Sequence, residues 1–137
     1  GQTETRFCLE EGPSYVAIAG PNSDTASIGS VGAQLTDEKI ANDFALDWVR
    51  LPITSSISLT VDAQDGGGVL RTSVACRAGQ QVTVLSGPSV ARGSTDAVHT
   101  NVDTSVCNAA VLVITNEHQT SATPSSRSNA TYDVASS

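Results

Sequence analysis

The run Ser56-Ile-Ser-Leu-Thr-Val61 alternates polar and apolar side chains without a break, and it restricts the fold more than any other feature. At a repeat of two residues, Ile57, Leu59 and Val61 fall on one side of an extended strand and the Ser and Thr side chains on the other. A helix, with 3.6 residues per turn, would scatter the same residues around its circumference. The period recurs along the chain. Arg6–Leu9, Ser14–Ala19, Val69–Cys76, Gln81–Leu85 and Ala97–Val102 all read as strands, and Phe44, Leu46 and Trp48 share one face of Phe44–Arg50. Val106–Thr115 is apolar on both faces, the mark of a strand in the middle of a sheet.

Turn residues punctuate these runs. Gly-Pro pairs stand at 12–13, 20–21 and 87–88, and Pro52 interrupts or marks an edge. The triple glycine 66–68, after Asp62 and Asp65, suits a hairpin turn that needs positive φ. Residues 22–35 read as a Ser/Gly-rich loop with at most a short strand. Thr36–Asp43 alone invites a helix, one or two turns long, with Thr36 as cap and Asp37 and Glu38 in the first turn.

The expectation is an all-β domain of about eight to ten short strands, an antiparallel β-sandwich or jelly roll with at most one short helix near residues 36–43. Three regions follow: an N-terminal arm or edge strand at 1–12, a sandwich core at 13–118, and a polar linker with a C-terminal strand or tail at 119–137. Composition agrees. The chain has 137 residues, enough to bury a core without disulfides, and its 39% hydrophobic share is mostly Val and Ala. Abundant Val and Thr beside few Glu and Lys suit a pleated surface better than a helix.

Charge excludes some partners. The net charge is −7, with Lys39 the only lysine beside six arginines, so the clustered cations that a phosphate backbone or anionic lipid demands are missing. No run approaches the ~18–20 apolar residues of a membrane-spanning helix. These observations predict neither nucleic-acid binding nor membrane insertion. The absence of methionine, even at the first position, fits a mature chain whose leader has been removed, and hence an extracellular or cell-surface location.

Three cysteines, Cys8, Cys76 and Cys107, carry most of the remaining chemistry. Cys76 and Cys107 lie on strands about thirty residues apart, and a bridge closing that loop contributes on the order of 3–4 kcal/mol in the chain-entropy model. The competing reading is two buried thiols acting as small hydrophobes, or Cys8 paired with either one. If Cys76 and Cys107 pair, Cys8 is left on a terminal arm as a candidate intersubunit cysteine. A Cys nucleophile beside His99 or His118 is conceivable by residue type, but Cys107 sits in an apolar run that keeps a thiol inert, and no catalytic signature is present. Catalysis and a cofactor are not expected. Asp62 and Asp65 on a glycine loop are a weak Ca²⁺ candidate, since Asp-Gly occurs in turns for turn reasons alone.

Two kinds of function fit these residues. One is a non-enzymatic structural subunit that assembles with copies of itself into a filament, pilus-like fibre, surface layer or virion shell. Here isolated terminal strands at 4–9 and 130–135 would complete neighbouring sheets. The other is a secreted module that binds glycans or cell surfaces, with Tyr15 and Tyr132 as exposed aromatic contacts. Trp48, alternating with Phe44 and Leu46, is better placed in the core. Asn129-Ala-Thr131 is an N-glycosylation pattern, used only in a eukaryotic secretory route.

Overall fold

Each alternating strand has one apolar face, and two such sheets stacked together bury both. In the computed structural model, which describes residues 23–40, 46–64, 69–116 and 130–137, nine strands do this. They are β1 Ser23–Ser27, β2 Gln34–Ile40, β3 Leu46–Arg50, β4 Ile57–Ala63, β5 Leu70–Ala78, β6 Gln81–Ala91, β7 Ala97–Val102, β8 Ala109–Asn116 and β9 Ala130–Ser136. A five-stranded sheet runs β1-β3-β8-β5-β6 and a four-stranded sheet runs β2-β9-β4-β7. All neighbours are antiparallel except β1 and β3. The two sheets form a sandwich and do not close into a barrel.

The core lies between them. Ile57, Leu59 and Val61 of β4 face Val74 and Cys76 of β5 and Ala110, Leu112 and Ile114 of β8, with Val49, Tyr132 and Val134 completing the layer. Burying one such aliphatic side chain stabilises the fold by about 1.5–3 kcal/mol. Tyr132 brings a hydroxyl into this layer and donates it to Asp47 Oδ2 at 2.8 Å, which gives that buried carboxylate a partner. A smaller cluster of Trp48, Ala75, Ala109 and Val111 sits on the other face of the five-stranded sheet. This explains why β8 is apolar on both sides and occupies the middle of its sheet.

Four expectations need correction. Residues 36–40 of the expected helix belong to β2, while 41–43 lie outside the described residues. Two turns cannot sustain a helix alone, whereas here Glu38, Lys39 and Ile40 gain ladder partners on β9 and Ile40 is buried. A bulge between Leu35 and Glu38, with Asp37 at φ 54°, absorbs the polar residues that resembled a helix start. The supposed loop at 22–35 holds β1 and the start of β2. β4 and β5 belong to different sheets and do not pair, so they are not the two arms of a hairpin, and residues 65–68 of the expected turn lie outside the described residues. Lastly, β9 lies between β2 and β4 inside its own sheet, so the strand expected at 130–135 completes this molecule and not a neighbour.

Candidate interaction surface

Surface features of interest arise where a strand escapes the sandwich. Among the described strands β6 is the longest and an edge of its sheet, with β5 as its only strand neighbour. The pair opens with the two-residue turn Gly79-Gln80, whose glycine at φ +63° occupies the first central position of a type II′ hairpin. From there Gln81–Val84 run exposed on both faces, with Val84 65% exposed. Register shifts follow between Ala75 and Val74 and between Val74 and Thr72, each adding a residue on the β6 side. Bulges of this kind bend an edge strand. Here the bend carries β6 across to β7 of the other sheet, through a turn closed by reciprocal bonds between Arg92 and Thr95 at 2.9 Å.

Gly87 sits within the second bulge at φ +129°. A Cβ there would lie 2.7 Å from Ser73 Oγ and 2.9 Å from its Cα, so only glycine lets the two strands approach.

Beneath the bend lies His99, 1% exposed. The Thr72 hydroxyl donates its one proton to the Ser89 carbonyl at 2.8 Å, and so its oxygen accepts from His99 Nε2–H at 2.7 Å. Nδ1 then accepts from the Ser86 hydroxyl at 2.8 Å. Burial lowers the imidazole pKa and keeps the ring neutral. The ring thus pins β5, β6 and β7 together, and both of its nitrogens are committed to that task. Cys107, the other half of the conceivable catalytic pair, is bonded to Cys76, with S–S 1.98 Å and Cα–Cα 5.7 Å. His118 and Cys8 lie outside the described residues. A bridge between β5 and the loop entering β8 belongs to a protein of an oxidising compartment, extracellular or periplasmic.

That disulfide also steadies one end of the sandwich. Thr104 donates its amide to the Thr54 carbonyl at 2.9 Å and its hydroxyl to the Pro52 carbonyl at 2.9 Å, tying the loop after β3 to the loop after β7. Asp103 accepts from the Ser105 hydroxyl at 2.6 Å and from its amide at 2.8 Å, which holds the carboxyl below its ordinary pKa. On this frame stands Val106, 70% exposed, with Ile53 exposed on the neighbouring loop. The sequence pattern counted Val106 as the start of a central strand, but β8 begins at Ala109.

The remaining candidate residues divide as follows. Tyr132, expected as an exposed aromatic, is 0% exposed because its place on β9 points it between the sheets, so the ring is not a surface contact. Tyr15 and Asn129 lie outside the described residues, and among those described no aromatic ring is exposed. Asp62 pairs in register with Asp133 across β4 and β9, and the Gln64 amide bridges the two, donating to Asp62 Oδ2 at 2.9 Å and Asp133 Oδ2 at 3.1 Å. With Asp96 they border a shallow groove of about 280 Å³ on the outside of the four-stranded sheet. Asp65 lies outside the described residues, and among these no group of three or more His, Cys, Asp or Glu is arranged to hold a metal ion. No described helix is long and apolar enough to cross a membrane.

No protein-family model matches the chain, and no curated protein matches it in sequence. Among solved structures it is similar to PliG of Aeromonas hydrophila, described as a periplasmic lysozyme inhibitor of g-type lysozyme. The TM-score is 0.51 at 12% identity, over 85% of this chain and 96% of that one. The likeness is one of fold. PliG of Salmonella Typhimurium, described in the same words, gives 0.42 at 9% identity over 83% and 99%. A structure of the Gx strain of infectious bursal disease virus gives 0.37 at 11% identity over 78% and 26%. These two lower-scoring matches add nothing to the first.

Proposed function

We propose that the chain is a non-enzymatic extracellular subunit that acts by association, joining copies of itself through strand and sheet contacts. The first half of β6 carries this reading. Natural edge strands are blunted by charge, proline, cover or extreme shortness. Gln81–Leu85 is exposed over its first four residues and contains neither charge nor proline, while among the described residues its only strand neighbour is β5. Strand addition at such an edge supplies main-chain hydrogen bonds at once. The engagement of His99 and Cys107 inside the fold supports a role other than catalysis. Sedimentation velocity over a concentration series, with electron microscopy of native material, tests the reading. Oligomers or polymers are the expected outcome, and a clean monomer at every concentration would overturn it.

The loop end favours a second reading, docking on a different protein. Val106 stands on a frame made rigid by the disulfide and Thr104, and rigidity of this kind lowers the entropy lost on binding. The fold likeness makes g-type lysozyme the natural probe. Inhibition that disappears in Val106→Asp would establish this reading, and no inhibition at any ratio of the two proteins would dismiss it.

A further inference from the structure

We infer that β6 pairs antiparallel with β6 of a second copy, with Thr83 on the two-fold axis, so that two five-stranded sheets become one continuous sheet. The inference rests on the self-association reading and specifies its first contact.

The register follows from the hairpin. In a two-residue hairpin the residues flanking the turn, here Ala78 and Gln81, form a hydrogen-bonded pair, and such pairs recur at every second position. Gln81 and Thr83 therefore direct their amide and carbonyl groups toward Ala78 and Cys76 on β5. Val82 and Val84 direct theirs outward, at the free edge. Among the described residues no strand pairs with that edge.

The sequence about Thr83 reads the same in both directions, Val82-Thr83-Val84. An antiparallel copy centred on Thr83 sets Val82 opposite Val84 of the partner and Val84 opposite Val82 of the partner. Both pairs are then hydrogen-bonded ones, and every outward amide and carbonyl of the two valines gains a partner. Any register shifted by one residue would face an outward group with an inward one.

Side chains agree with this register. Val82 pairs with Arg77 and Val84 with Ala75, so both valines project from the outside of the five-stranded sheet. In the pair they become four adjoining valines, which removes the largest apolar exposure on this strand from water. Thr83 meets Thr83 on the opposite face, a favourable cross-strand pair. A closed two-fold contact needs one patch that matches itself. Because β6 carries no charged residue, the second copy adds no like-charge repulsion along the strand, despite a chain charge of −7. The bulges beyond Val84 bend β6 away and limit the pairing to its first turnless stretch. A contact this short is weak alone and serves chains held at high local concentration.

Thr83→Cys, in a Cys8→Ser background, tests the register. Residues facing each other across a non-hydrogen-bonded antiparallel pair have Cα atoms about 4.5 Å apart, within disulfide reach. Mild oxidation should therefore yield a covalent dimer from Thr83→Cys and none from Val98→Cys, which is exposed on β7. Val84→Pro removes only an outward amide, so the monomer should keep its fold by circular dichroism while dimer is lost in sedimentation equilibrium. Val84→Lys should weaken the dimer in the same direction. Wild-type association that persists unchanged in Val84→Pro, with no Thr83→Cys dimer, would overturn the β6 contact and leave self-association standing. A wild-type chain that stays monomeric throughout would overturn both.

Discussion

His99 shows how a residue type that suggests chemistry becomes a fastener. In the sequence it is one of two histidines and stands in the short alternating run Ala97–Val102. Its setting depends on Thr72 and Ser86, 27 and 13 residues away, and no local pattern announces such partners. The consequence is a pH dependence of known sign. Burial holds the folded imidazole below its ordinary value of 6.5, while the unfolded chain takes up a proton near it. Above that value both states are neutral and the stability is complete. As pH falls below it the unfolded state binds more protons, and stability declines until the folded pKa is reached. Urea midpoints at about pH 7.5 and about pH 5.5 should show this decline, and His99→Gln should flatten it. Gly87 makes a sharper case. Gly87→Ala forces a Cβ against the Ser73 backbone at a φ that disfavours any side chain, so a loss of about 1–3 kcal/mol or more is expected in urea denaturation. The Gly87-Pro88 pair was legible as punctuation, but the strand does not stop there. It bulges and continues to Ala91.

Among the elements, those with strict alternation were the most readable. β4 and β7 lie within a residue or two of the runs that marked them, because one buried face per strand leaves only one phase. β2 was unreadable for the opposite reason. Its polar middle matches a helix start, and only pairing with β9, about a hundred residues away, decides the outcome. Tyr132 on β9 is hidden for a similar reason: its place near the chain end suggests surface, while the register with Ala63 turns it inward. Tyr132→Phe removes a hydrogen bond from buried Asp47 and should lower stability by about 1–3 kcal/mol, measured by chemical denaturation. The Cys76–Cys107 bridge ties β5 to the loop entering β8 across a separation of 31 residues. Replacing both cysteines with alanine should lower stability by about 3–4 kcal/mol, with the denaturation midpoint as readout. Both cysteines stood on readable segments, so the pairing was a legible possibility. The exposed edge of β6 was not, since local alternation says nothing about how many neighbours a strand has.

At the scale of the molecule, function follows from what two stacked sheets leave uncovered. Among the described residues the interior is mostly aliphatic, with the Cys76–Cys107 bridge, Tyr132 and a few polar side chains such as His99 and Asp47, and the surface offers apolar valines at the β6 edge and at the loop end. Val84→Lys should therefore reduce association without moving the denaturation midpoint, because the side chain is mostly solvated in the monomer. A sedimentation series run beside a urea titration separates the two effects. The position of β9 has a consequence for time as well as for space. It is a middle strand of the four-stranded sheet, with β2 on one side and β4 on the other. Neither neighbour can complete its ladder until β9 itself has been made. Pairings this distant in sequence also form slowly. A topology in which a distant strand fills the middle of a sheet therefore makes that sheet a late product of folding.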